Sequence, residues 1–100
     1  MEFHDRAVLI TGGKRIGAVI AADLARRGLD VALTYNRSSR EAEDTAAAVR
    51  EAGRRAVVIH ADVSDAAACL RLVNEAAAAL GRLDVLINMA SVYTERPFDE

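Results

Sequence analysis

The sequence predicts an α/β fold in which helices cover both faces of a parallel sheet, a doubly wound architecture, and three observations support this prediction. Short apolar segments alternate with longer segments of helical periodicity along the 100 residues. The apolar segments are continuous, as expected of strands that are covered on both faces. Glycines follow the helical segments. Four strands and three helices of this kind favour right-handed crossovers, three αβα layers and the strand order 3-2-1-4.

The first strand is predicted over residues 6–11, "RAVLIT", and the first helix over residues 16–27. In this helix Ile16, Ile20 and Leu24 recur at helical spacing with Val19 beside them. Small residues form a smooth neighbouring ridge at Gly17, Ala21 and Ala25, and Gly28 supplies the left-handed stop.

The second strand is predicted over residues 30–35, "DVALTY". The next helix opens at "SSRE", where Ser38 is the predicted N-cap and Glu41, three residues later, completes a reciprocal capping box. Gly53 is the predicted end of this helix.

The third strand is predicted over residues 55–63 and the fourth over residues 83–90. Between them Ser64 is the predicted N-cap of an alanine-rich helix over residues 65–80, and Gly81 is its stop. Because the fourth strand ends this series, it would form a long apolar edge of the sheet.

The composition is that of a folded chain without a charged binding surface. Hydrophobic residues make up 52% of the sequence and charged residues 28%, and the net charge is -2 at pH 7. The charges of both signs are interleaved, and no apolar run approaches the ~18 residues of a membrane span. We therefore expect no nucleic-acid partner and no membrane partner, and the polar N-terminus "MEFHDR" favours a cytoplasmic location.

The sequence contains one cysteine and two histidines, which give no metal-ligand pattern, so we expect no metal. We interpret Cys69 as a small buried hydrophobe, in preference to a reactive thiol. We interpret His60 as a core histidine whose ring nitrogens have partners, in preference to a ligand.

The segment "ITGGKRIG" (residues 10–17) follows the first strand and enters the first helix. In a doubly wound sheet the ligand site lies at the carboxyl ends of the strands, where the strand order reverses, here between the first and fourth strands. Glycines let a diphosphate approach the backbone there, and the helix N-terminus offers unpaired N–H groups. The segment therefore favours a phosphate-containing ligand over a tight turn that binds nothing, and it lacks the Gly-Lys-Ser/Thr ending of a Walker loop.

Taken in order, "TGGKRIG", "ADVS" after the third strand and "NMAS" after the fourth resemble the short-chain dehydrogenase/reductase family over essentially the whole chain. Members of this family carry a Thr-Gly-x-x-x-Gly-x-Gly turn, then an Asp, then an Asn-Asn-Ala-Gly motif. This turn is one residue shorter and has Arg15 in place of the middle glycine, while Met89 and Ser91 replace the second Asn and the last Gly of the later motif.

The resemblance implies a Rossmann domain that binds a nicotinamide dinucleotide. Asp62 would accept a hydrogen bond from the adenine amino group with Val63 near the ring, and Asn88 would pin the sheet. The predicted cofactor-binding residues are Thr11, Gly12, Lys14, Arg15, Ile16, Gly17, Arg37, Ser38, Asp62, Val63, Asn88 and Ala90.

The end of the second strand predicts that the cofactor is NADP(H). An NAD-preferring site usually has Asp or Glu at this position, but here Tyr35 and Asn36 are uncharged. Arg37 and Ser38 follow, and Lys14 and Arg15 lie across the predicted cleft, so that a 2′-phosphate would meet cations and a hydroxyl.

Three segments, "KRIG", "NRSS" and "NMASVYTERPF", look like the pteridine-reductase branch of the family. In that branch the residue at the position of Tyr93 stacks on the pterin substrate, and a proline corresponds to Pro97. Some 3-oxoacyl-carrier-protein reductases have similar features, so a pterin, a 3-oxoacyl substrate and another small carbonyl compound all remain open.

Family members transfer hydride with a Ser and a Tyr-x-x-x-Lys pair that lie beyond the fourth strand. Tyr35 and Tyr93 are followed four positions later by Ser39 and Pro97, so no catalytic residue can be assigned. We interpret residues 1–100 as an incomplete dinucleotide-binding domain from a larger, homo-oligomeric reductase, and expect no turnover from them alone. The alternative is a free-standing, non-catalytic nucleotide-binding or interaction module.

Overall fold

A computed structural model describes residues 5–12, 14–36, 39–61 and 66–89. The strands are β1 (Arg6–Gly12), β2 (Leu29–Tyr35), β3 (Ala56–His60) and β4 (Val85–Met89). The helices are α1 (Lys14–Arg26), α2 (Arg40–Glu51) and α3 (Ala66–Leu80). All strand pairs are parallel and their order is β3-β2-β1-β4. The predicted fold class and strand order are therefore confirmed, although β3 and β4 are shorter than predicted.

The sheet has α1 and α2 on one face and α3 on the other. The first face carries the core side chains of Val8, Ile10, Val31 and Leu33. The opposite face carries those of Ala7, Leu9, Ala32 and Ile59. Residues 7–10 of β1 are fully buried, as the continuous apolar run predicted, and each large side chain buried in this way contributes about 1.5–3 kcal/mol.

The face that α1 presents to the sheet is the ridge of small residues. Gly17, Ala21 and Ala25 are buried. Ile16 is 63% exposed and Val19 is 68% exposed. Ile20 and Leu24 are partly buried against the same core, so the exposed large side chains of α1 are those of Ile16, in its first turn, and Val19.

The helix ends agree with the predicted glycine stops but not with the predicted cap of α2. Gly28, Gly53 and Gly81 all have positive φ, as a left-handed stop requires. The cap of α2 is Ser39, whose backbone is already helical and whose side chain makes no capping hydrogen bond.

The predicted N-cap, Ser38, is therefore one residue too early, and it lies outside the described residues. The physical reason is that the Ser39 carbonyl accepts the first helical hydrogen bond, from Glu43 N–H at 2.7 Å. With Ser39 as the cap, Ala42 occupies the third helical position and offers no carboxylate to a capping box.

β4 lies at the end of the sheet order and is only partly covered. α3 packs against β1, β2 and β3, and Leu86, which pairs with Leu9 of β1, is 55% exposed.

Within the described residues, none of the helices has the length and apolar character needed to cross a membrane.

Two aspartates tie the strands together at the amino edge of the sheet, where the strands begin. The Asp30 carboxylate accepts hydrogen bonds from the Arg55 backbone N–H at 3.0 Å and from its Nε at 3.1 Å. Asp84 accepts the Ala7 N–H at 2.9 Å and binds both Nε and a terminal nitrogen of Arg82 at 2.7 Å. Each aspartate therefore closes one strand pair, β2 with β3 and β1 with β4.

These contacts favour the charged form of both aspartates. Burial raises the pKa of Asp30, but the hydrogen bonds from Arg55 and the charges of Arg54 and Arg55 outweigh it and hold the pKa below 3.8. The side-chain hydrogen bonds from Arg82 lower the pKa of Asp84, and the Ala7 N–H lowers it further. The Nε of Arg54 lies 3.0 Å from Asp30, close enough for an ion pair but without hydrogen-bond geometry.

We predict that Asp30→Ala lowers the free energy of unfolding by about 2 kcal/mol at pH 7, because the Arg55 N–H loses its buried partner. Since the folded pKa lies below the unfolded one, this contribution is present above about pH 5 and is lost as the pH falls through the folded pKa. Urea unfolding at pH 7 and below pH 4 measures both effects. Asp44→Ala, on the exposed surface of α2, is the matched control and should change stability by less than ~0.5 kcal/mol. An Asp30→Ala protein with wild-type stability, or with the wild-type acid dependence, would contradict this assignment.

Candidate functional site

The turn from β1 into α1 is built on a close backbone approach. Gly12 has a φ of 69°, a conformation that favours glycine. A Cβ atom on Gly17 would lie 2.8 Å from the Gly12 carbonyl oxygen, a distance that a real side chain does not tolerate. Gly17 is therefore required as glycine by the packing of α1 on β1, even though the turn is one residue shorter than the family pattern.

The first turn of α1 carries positive charge and no carboxylate. Lys14 and Arg15 lie in this turn, and Arg15 is exposed. Cations at the positive end of a helix dipole are each unfavourable by roughly 0.3–1 kcal/mol, and an anion bound there offsets this because both the cations and the helix end attract it. The end of α1 that points to the carboxyl edge of the sheet is thus suited to an anionic group such as a phosphate.

Among the described residues, side-chain hydrogen bonds link neighbouring strands at the carboxyl edge. Thr11, which is buried, donates its hydroxyl to Oδ1 of Asn88 at 2.7 Å, linking β1 to β4. The Gly12 N–H donates to Oγ1 of Thr34 at 3.4 Å, linking β1 to β2. Nε2 of His60 lies 2.9 Å from the Asn36 carbonyl oxygen, linking β3 to the residue after β2. The side-chain links described at this edge involve no carboxylate, whereas ion pairs hold the amino edge.

The position of His60 corrects the prediction that it is a core histidine. The residue is exposed, because it is the last residue of β3, the strand at the other end of the sheet order. Its Nε2 has a partner, as expected, and since that partner is a carbonyl oxygen, Nε2 carries a proton. The ring also packs against Tyr35, with the ring centroids 5.1 Å apart.

The structure brings part of the predicted site together. The elements that carry Thr11, Gly12, Gly17 and Asn88 meet at the carboxyl edge, and Lys14, Arg15 and Ile16 follow in the first turn of α1. The other predicted residues lie outside the described ranges: Arg37, Ser38, Asp62, Val63, Ala90 and Tyr93.

Two further observations complete the description of the predicted residues. Cys69 is half-buried in α3, so it is less covered than the prediction of a buried hydrophobe required. Among the described residues, no group of three His, Cys, Asp or Glu side chains is placed to hold a metal ion.

Thr34 was not predicted from the sequence. A hydroxyl at the penultimate position of a strand that neighbours a glycine turn is the signal that could have identified it.

Comparison with known proteins gives consistent results along the whole chain. The family profile described as short chain dehydrogenase matches residues 6–100. The short-chain dehydrogenase/reductase FrzI of Cladobotryum sp is 42% identical over 89 residues, which are 88% of this chain and 34% of FrzI. The short-chain dehydrogenase/reductase homolog YusS of Bacillus subtilis is 36% identical over 101 residues, which are 100% of this chain and 93% of YusS.

A solved structure extends this similarity to three dimensions. A short chain dehydrogenase from Burkholderia cenocepacia, crystallised in complex with NADP, matches with a TM-score of 0.86 and 40% sequence identity. The match covers 100% of this chain and 41% of that protein. The chain thus spans about a third of the length of FrzI and two fifths of the Burkholderia protein, but nearly all of YusS.

We predict that Gly17→Ala destabilises the fold and changes the environment of the turn. In the interior of an exposed helix, alanine is more stabilising than glycine by about 1 kcal/mol. At position 17 its Cβ would collide with the Gly12 carbonyl oxygen, so the backbone must shift, at a cost of about 1–3 kcal/mol. The result should be a lower free energy of unfolding and a displaced Gly12 amide resonance in a ¹H–¹⁵N NMR spectrum.

Gly53→Ala is the matched control for this change. Gly53 has positive φ and open space around its Cα, so alanine there costs about 1–2 kcal/mol of backbone strain without affecting the turn. A Gly17→Ala protein that is as stable as the wild type, with an unmoved Gly12 resonance, would show that the turn does not depend on the close approach.

Proposed function

Because the chain belongs to the short-chain dehydrogenase family, we propose that it forms the cofactor-binding part of an NADP(H)-dependent oxidoreductase. The observation that carries the proposal is the backbone cradle at the carboxyl edge of the sheet. A side chain on Gly17 would collide with the Gly12 carbonyl oxygen, so α1 lies directly against the end of β1, and its cationic first turn begins two residues after Gly12. This is the geometry that a dinucleotide diphosphate requires.

In this proposal the diphosphate lies against the glycine turn, with Lys14 and Arg15 adding positive charge. Thr11 and Asn88 hold the ends of β1 and β4 in register, so that the turn and β4 present a fixed edge to the cofactor. Asp62 and Val63 are proposed to contact the adenine, and Ala90 to lie near the ribose and nicotinamide half. When bound, the cofactor would supply a hydride for the reduction of a C=O or C=N group.

The choice of NADP(H) over NAD(H) rests on charge at the end of β2. Tyr35 and Asn36, where an NAD-preferring site would place a carboxylate, are uncharged, and Arg37 and Ser38 follow them. A guanidinium and a hydroxyl would bind a 2′-phosphate through charge-assisted hydrogen bonds, each worth ~1.5–3 kcal/mol. The NADP bound to the related Burkholderia dehydrogenase supports the same choice.

The proposed substrate is a small molecule with a carbonyl or pterin-type group. Within the family, the segments "KRIG", "NRSS" and "NMASVYTERPF" favour the pteridine-reductase branch, with 3-oxoacyl-carrier-protein reductases as the second possibility. Tyr93 is the proposed stacking partner of a pterin ring, a contact worth roughly 0.5–1.5 kcal/mol beyond burial. Homo-oligomerisation of the complete enzyme is part of the same proposal.

A second candidate function is a non-catalytic nucleotide-binding module of the same fold. It is supported by YusS, since this chain covers 93% of that relative. The coding sequence downstream of codon 100 distinguishes the two candidates. An in-frame Ser followed by Tyr-x-x-x-Lys supports the oxidoreductase, whereas a stop codon at that position in independent reads supports the module.

We predict that the full-length protein binds NADPH at least about tenfold more tightly than NADH, and that Arg37→Glu removes the difference because it repels the 2′-phosphate. Fluorescence titration of both cofactors measures the two dissociation constants. Arg26→Glu, the same change at the opposite end of α1, is the matched control and should keep the preference. Equal affinities in the unmodified protein would refute the NADP(H) assignment.

We predict that Tyr93→Ala raises the KM for a dihydropterin several-fold and leaves NADPH affinity and the Tm nearly unchanged, because only the stacking surface is lost. The Tyr93→Phe variant keeps that surface and should have a KM close to the wild-type value. Steady-state kinetics with NADPH in excess and a thermal melt provide the measurements. A large fall in Tm with an unaltered KM would place Tyr93 in the hydrophobic core and remove the main support for a pterin substrate.

A further inference from the structure

The three strand pairings of the sheet end at different levels. β1 pairs with β4 as far as Gly12 and Met89, and β2 pairs with β3 as far as Tyr35 and His60. The pairing of β1 with β2 runs only from Arg6 and Leu29 to Ile10 and Leu33. At its carboxyl edge the sheet therefore divides between β1 and β2, and each of these strands continues with its outer neighbour.

Thr34 joins the two strands beyond the point where their pairing ends. The Gly12 N–H, which would otherwise continue the backbone ladder, donates to Oγ1 of Thr34 at 3.4 Å. The carbonyl of the same residue lies against Gly17 of α1. Gly12 thus has β2 bound to its N–H and α1 packed closely beside its carbonyl group.

We propose that Thr34 is a positioning residue that sets the glycine turn for the diphosphate of the cofactor; this inference rests on the function proposed above. Thr34 acts through Gly12 and contacts no cofactor atom in this scheme. If the Thr34 hydroxyl is removed, the turn keeps its link to β4 and its packing against α1 but loses its link to β2. The N–H groups at the start of α1 are then less precisely oriented toward the diphosphate.

The test compares Thr34→Val, which keeps the shape but removes the acceptor, with Thr34→Ser, which keeps the acceptor. The probes are NADPH and adenosine 2′-monophosphate, which has no diphosphate. Because a 3.4 Å hydrogen bond is long, we expect Thr34→Val to raise the dissociation constant for NADPH only about 3- to 10-fold. The Thr34→Ser protein should bind NADPH with a dissociation constant within about twofold of the wild-type value. Binding of adenosine 2′-monophosphate should be the same in all three proteins.

Amide hydrogen exchange at Gly12 in the absence of cofactor is the second readout, and exchange should be faster in Thr34→Val than in the wild type or Thr34→Ser. Thr45→Val is the matched control, since the Thr45 hydroxyl bonds the Glu41 carbonyl within α2, and it should change neither readout.

Three outcomes would overturn the role of Thr34. The first is unchanged NADPH affinity in Thr34→Val, the second is unchanged Gly12 exchange, and the third is equal weakening of both probes, which indicates a general structural effect. If the unmodified protein binds no NADPH at all, the proposed function is wrong and the positioning role falls with it.

Discussion

The close approach of Gly17 to the carbonyl of Gly12 is the constraint on which the rest of the structure depends. It fixes where α1 begins and brings its ridge of small residues onto β1. It also directs the N-terminal end of the helix to the carboxyl edge of the sheet. Any side chain at position 17 would separate the helix from the strand, and the packing of α1 and the shape of the turn would change together.

The two edges of the sheet are stabilised by different chemistry. At the amino edge, Asp30 and Asp84 are each bound to a backbone N–H of a neighbouring strand and to arginine side chains, so opposite charges there are close and largely neutralise each other. At the carboxyl edge, the described links are hydrogen bonds without ion pairs, and the first turn of α1 is cationic without a carboxylate in the turn. Opposite charges are therefore paired at the amino edge, whereas the sequence places two cations in the first turn of α1, where we propose that the ligand binds.

The sequence predicted the features that depend on local rules. The alternation of buried strands and helices, the strand order and the left-handed glycines at residues 28, 53 and 81 all follow from periodicity and backbone sterics, and the structure confirms them. These features need no knowledge of which side chains meet across the fold.

The predictions that failed depended on contacts between elements or on a single-residue shift in position. His60 ends an apolar strand, but that strand lies at one end of the sheet order and the side chain of its last residue is exposed. Ser38 and Ser39 are the same residue type, and the sequence alone does not decide which of them caps α2. The link between Thr34 and Gly12 arises because β1 and β2 separate, which no pattern within either strand records.

We propose that a nicotinamide dinucleotide binds the carboxyl edge of the sheet through the turn between β1 and α1. Titration of the ¹⁵N-labelled protein with NADPH, followed residue by residue by NMR, tests it most directly. We expect saturable shifts that are largest at Gly12, Arg15, Thr34 and Asn88, and no shift of the Arg55 amide resonance at the opposite edge. Saturable shifts confined to the amino edge, or no saturable shift at all, would contradict it.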